Sequence, residues 1–64
     1  MNSPSRIGGS NRMLTVKEVA GLLALSENHI YKDWRVMGLK GYYLSGRLRF
    51  REREVNDWIE RQAA

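Results

Sequence analysis

Seven basic residues fall between Lys32 and Arg53, namely Lys32, Arg35, Lys40, Arg47, Arg49, Arg51 and Arg53, against only Asp33 and Glu52. That stretch carries a net +5, whereas the first thirty-one residues carry +1 and the segment from Glu54 to Ala64 carries −2. Positive charge gathered in this way is a partner for phosphate. Some of these residues are suited to more than charge. At about 100° per residue, Asn28, Lys32 and Arg35 fall on one side of a helix, flanked by His29 and Tyr31. Arginine bonds guanine O6 and N7 in bidentate fashion, asparagine pairs with adenine N6 and N7, and lysine reaches guanine or phosphate. Glu27 is open between two roles, supporting the positive end of the helix dipole or accepting from cytosine N4. His29 reads as a phosphate or water contact. Tyr31 has a hydroxyl suited to phosphate and a ring suited to the rim of a core. Further on, Arg47, Arg49 and Arg51 alternate along a short strand. The first two are then roughly 7 Å apart at ~3.4 Å per residue, close to the separation of successive phosphates.

Other chemistries lack their residues. Without cysteine there is neither a disulfide nor a thiolate metal site, and the single histidine, His29, excludes a multi-histidine centre. No Ser, Asp or Glu stands at a plausible spacing to position His29 as a base. There is also no glycine-rich phosphate loop and no paired-carboxylate motif. A non-enzymatic chain without cofactor or metal is expected. No apolar run approaches the ~20 residues of a membrane span, and nothing resembles a signal peptide, so a cytoplasmic location without membrane contact is expected.

Three helices and a hairpin must position the basic residues. Thr15 and Glu18 form a T-x-x-E capping box, after which Val16, Val19, Ala20 and Leu23 share one helical face. The pattern lapses for two residues before Ser26 offers a second cap, so the two helices must meet steeply, as in a helix-turn-helix. The second helix is predicted from Glu27 to about Met37, with Ile30, Trp34 and Met37 inward and Gly38 as its stop. Tyr42 to Phe50 predicts a hairpin around a Ser45-Gly46 turn, with Leu44, Leu48 and Phe50 holding it against the helices. A last helix from about Glu52 would turn Val55, Trp58, Ile59 and Gln62 inward and leave Glu54, Asp57 and Glu60 in water. Residues 1–13 lack periodicity and read as a flexible N-terminal tail, leaving 14–64 as one domain. Within the tail, Arg6 and Arg12 would also suit a minor-groove arm.

In order and spacing, the chain resembles the winged-helix domain of the MerR-like and phage excisionase group. Thr15, Glu18, Val19, Ala20, Leu22, Leu23 and Ser26 match its T-x-x-E-V-A-x-L-L-x-x-S run. Arg47, Arg49 and Phe50 match the end of its wing, and Trp58 and Ile59 its closing helix. The resemblance implies a mainly α fold with a small β-hairpin, a winged helix-turn-helix. It also implies a recognition helix bearing Glu27, Asn28, His29, Tyr31, Lys32 and Arg35, and a wing bearing Arg47, Arg49 and Arg51. The group carries a tyrosine at the place of Tyr31, which favours the phosphate contact. Two departures stand out: Arg51 replaces a common proline where the wing enters the last helix, and the recognition helix runs about one residue longer.

The resemblance further implies double-stranded DNA as partner, bound at tandem sites beside a phage attachment site in a bacterial host. A phage integrase would be directed toward excision there, with bending of the DNA and weak self-association along it. A small MerR-like regulator is the alternative, though such proteins need a dimerisation helix and effector domain that are not evident before Ala64. An interaction adaptor on a basic winged fold is a further one.

Overall fold

The computed structural model describes residues 11–63. Its elements run β1 (Met13–Thr15), α1 (Val16–Leu23), α2 (Glu27–Met37), β2 (Gly41–Leu44), β3 (Arg47–Arg51) and α3 (Glu52–Gln62). The three strands form one antiparallel sheet in the order β1-β3-β2.

The sheet exceeds the expected two-stranded hairpin by one strand. Met13 pairs with Arg51, Leu14 with Phe50 and Thr15 with Arg49. Three residues are too few to show an alternation, so β1 has no signature of its own and exists through its partner. Ordered structure therefore reaches back past Leu14, into residues read as tail. The Arg12 carbonyl accepts from the Glu52 N–H at 2.8 Å. Its guanidinium contacts Glu18 at 2.8 Å and Glu52 at 3.4 Å. Arg12 is thus held against the fold rather than extended as an arm. Arg6 and the remainder of the proposed tail, residues 1–10, lie outside the described residues.

Both helix starts follow from their caps. The Thr15 hydroxyl accepts from the Glu18 N–H at 3.1 Å, and the Glu18 carboxylate accepts from the Thr15 N–H at 2.9 Å, which closes the box. The Thr15 N–H, aided by Arg12, holds the Glu18 carboxyl below the usual carboxylate range. Ser26 caps α2 by accepting from the His29 N–H at 3.1 Å. Between them Ala24 takes the left-handed conformation at φ 58°, and the Leu25 N–H returns to the Ala20 carbonyl at 2.9 Å. This Schellman-type closure stops α1 and turns the chain into α2. By contrast, α3 begins at Arg51 with no side-chain cap. The Arg12 carbonyl takes one of its free N–H groups, and Glu52 and Glu54 place negative charge at the positive end of its dipole.

The core unites Leu14, Val16, Val19, Ala20, Ile30, Leu39, Leu48, Phe50 and Val55. Leu23, Trp34, Met37, Trp58 and Ile59 are partly buried around it. Trp34 meets Phe50 edge to face, with ring centroids 5.9 Å apart. A Cβ on Gly41 would lie 2.8 Å from the Trp34 ring and 2.9 Å from Leu48, so only glycine lets the indole settle on β2. Trp58 donates its indole N–H to the Met37 carbonyl at 2.8 Å, which ties α3 to the end of α2.

Three expectations about facing are corrected. Leu44 pairs with Arg47 on the side of the sheet away from the core and is 48% exposed. Gln62 is exposed, one turn beyond the reach of the small core. Glu54 is half-buried and accepts from the Tyr42 hydroxyl at 2.7 Å, because β2 passes beside the first turn of α3.

Candidate nucleic-acid interface

α2 is packed through Ile30, which is fully buried, and through Trp34 and Met37 at the core margin. That leaves Glu27, Asn28, His29, Tyr31, Lys32 and Arg35 exposed. Asn28, Tyr31 and Lys32 have no side-chain hydrogen bond or ion pair among the described residues. Their polar groups are available to a ligand without breaking anything first. Glu27 stands in the first turn, where the dipole favours it, and faces solvent, so neither of its two roles is disfavoured.

Two side chains on this helix have partners not anticipated above, the first at the i,i+4 spacing at which helical neighbours meet. His29 Nε2 lies 3.5 Å from Asp33 Oδ2, one turn on. Asp33 is thus a positioned acid where none was expected, although Asp33 is only half-buried, His29 is exposed and neither side chain has a further polar partner among the described residues. Arg35 reaches back over its own neighbour, with Cζ 4.8 Å from the centroid of the Trp34 ring. Successive helical residues do not face each other, so this contact draws the guanidinium away from Asn28 and Lys32 and toward the indole. The triad Asn28, Lys32 and Arg35 is therefore a pair plus a stacked arginine.

The wing turns through Ser45 and Gly46, both at positive φ (53° and 78°), as a two-residue primed turn requires. The register places Arg47 opposite Leu44 and Arg49 opposite Tyr42, so Arg47, Arg49 and Arg51 share the outer face of the sheet as expected. Their environments differ. Arg47 is exposed and without a side-chain partner among the described residues. Arg49 is half-buried in the middle strand, and its Nη1 donates to the Leu48 carbonyl at 2.9 Å. Arg51 lies over the Tyr42 ring at 5.4 Å, with Nε 4.0 Å from Glu54 and Nη1 3.5 Å from the Asn11 side chain. Within the domain Arg51 thus bridges the wing and α3, a role its alternation with Arg47 and Arg49 does not indicate.

A helix-turn-helix domain family matches residues 13–63. The chain belongs to this helix-turn-helix family. It includes excisionase-like DNA-binding proteins, and the three helices with a small antiparallel sheet are consistent with its winged form. No curated protein and no solved structure matches the chain. Membership indicates DNA as the partner of this helix-turn-helix domain. Among the described residues no helix is long and apolar enough to cross a membrane, and no group of three His, Asp or Glu is placed to hold a metal ion.

The unequal wing arginines should separate in binding. Arg47→Ala is expected to weaken binding to all DNA sequences alike and to lower the slope of log K against log salt by about 0.9, the value of one phosphate contact. Arg51→Ala should leave that slope near wild type and instead lower the midpoint of urea unfolding. Salt titrations and urea melts of both variants check this. Equal loss of slope in the two would place Arg51 on the phosphates as well.

Proposed function

We propose that this protein is a sequence-specific, DNA-bending excisionase that binds tandem sites beside a phage attachment site and directs an integrase toward prophage excision. The observation that carries the DNA-binding part is the unpartnered polar face of α2, Asn28 and Lys32, presented by a capped helix-turn-helix next to a basic wing. In this arrangement α2 enters the major groove while Arg47 and Arg49 follow the phosphates. The excisionase part is supported by the order of the motifs, from the Thr15–Ser26 run through the Arg47-x-Arg49-Phe50 wing to Trp58-Ile59. Several copies side by side would meet through surfaces away from the basic face, and contacts between them need only be weak, because DNA holds neighbours at high effective concentration.

Light scattering should accordingly show a monomer in the absence of DNA. On a duplex with tandem sites, gel shifts should give a ladder filled cooperatively, with bending that grows with each step. Added to a matching integrase, the protein should favour excision over integration. Independent filling of neighbouring sites would overturn the excisionase reading, and a stable dimer without DNA would favour the MerR-like regulator.

A further inference from the structure

Val36 is 87% exposed, the most exposed large hydrophobic residue among those described. A β-branched apolar side chain is a poor choice there on two grounds, since it is disfavoured in helices and gains nothing from burial. Its place in α2 gives it a context. Asn28, Lys32 and Val36 are spaced by four, so they form one ridge along the outside of the helix. Val36 extends by one turn the face that the polar residues define. At ~1.5 Å rise per residue, the ridge from Asn28 to Val36 is about 12 Å long, which matches three to four base-pair steps of ~3.4 Å. Along it the chemistry changes from an amide to an ammonium to a branched hydrocarbon.

We propose that Val36 is a specificity residue, reading the C5-methyl group of a pyrimidine in the major groove at the far end of the subsite that Asn28 begins. Resting on the reading of α2 as the DNA-contacting helix, this adds a determinant that neither charge nor hydrogen bonding supplies. Within the major groove the thymine methyl is the apolar feature of the base edges, and an apolar side chain is its complement. The 5-methylcytosine methyl occupies the same position on its ring and offers the same surface. A polar residue at position 36 would be left facing that methyl unpaired, whereas valine buries it. Burial of one methyl-sized group, at ~0.8 kcal/mol, corresponds to a change in affinity of about three- to five-fold.

The test begins with duplexes selected by the wild-type protein from a random library. Each thymine in the selected site is then replaced singly by deoxyuridine, which removes the methyl and keeps the pairing. One such replacement, about three base pairs from the position sensitive to Asn28→Ala, should weaken wild-type binding three- to five-fold and leave Val36→Ala binding unchanged. Placing cytosine there should weaken wild-type binding, and 5-methylcytosine should recover part of the loss. If a site is selected but no deoxyuridine position distinguishes wild type from Val36→Ala, the methyl contact is wrong and the DNA-binding reading stands. If no sequence is selected over random DNA, both fall together. Val36 makes no core contact that its loss would disturb, so circular dichroism of Val36→Ala should match wild type.

Discussion

Trp34→Ala is expected to destabilise the domain by about 3–5 kcal/mol, the usual range for truncating a packed large aromatic. The indole is only partly buried, yet two strands and a neighbouring side chain rest on it. It meets Phe50 of β3 edge to face, covers Gly41 of β2 where no Cβ intervenes, and supports the Arg35 guanidinium of its own helix. A chain of this length has a stability on the order of 3–10 kcal/mol at ~0.05–0.15 kcal/mol per residue, so the substitution removes much or all of it. Without cysteine no disulfide compensates. Urea or thermal melts followed by circular dichroism provide the measurement. A cooperative transition close to the wild-type midpoint would show that the hairpin docks without the indole. Trp34→Phe is the informative companion, because it keeps an edge-to-face partner for Phe50 and should retain a cooperative, though lowered, transition.

The second large effect concerns binding rather than folding. Lys32→Ala should weaken binding to the cognate site by about 1–3 kcal/mol if a base-edge contact is lost, and weaken binding to random DNA by less. Lys32 is the cleaner probe of this face than Arg35. Its ammonium has no partner among the described residues, so its removal subtracts only what DNA supplies. Arg35→Ala would also uncover the Trp34 ring and mix a packing loss into the binding loss. Competition assays with cognate and random duplexes measure both terms. Unchanged affinity for each would remove α2 from the interface, whereas equal losses on both would make Lys32 a phosphate contact.

Much of this arrangement was readable because its signals are local. Thr15 and Glu18 make their box within a single turn, Ser26 caps α2 three residues from the N–H it binds, and Gly38 stops α2 at φ 95°. The Ser45-Gly46 turn sets the β2–β3 register, and that register places Leu48 and Phe50 inward and the wing arginines outward. In each case the deciding interaction joins residues close in sequence, so residue type and spacing suffice. The candidate face of α2 is equally local, since a helix with Ile30, Trp34 and Met37 inward must show Asn28 and Lys32 to solvent.

Most of what only the tertiary structure decided joins residues far apart in the chain. β1 exists because Leu14 finds Phe50, and the start of α3 is satisfied by the Arg12 carbonyl rather than by a neighbouring side chain. Glu54 and Arg51 look like surface charges in sequence, but Tyr42 brings them together across the β2–α3 junction. Leu44 looks like a core residue, but its place opposite Arg47 near the wing tip puts it beyond the helices. Arg35 points with Asn28 and Lys32 by helical angle, but a long flexible side chain goes to the best nearby surface, which is the Trp34 ring. The sequence by itself determined the helices, the turn and which faces are polar, because those follow from backbone periodicity and capping over three or four residues. Which of the polar groups remain unpaired, and so free for DNA, depended on where long side chains settle, against near neighbours such as Trp34 and Asp33 as well as distant ones such as Tyr42, and residue spacing alone does not fix that.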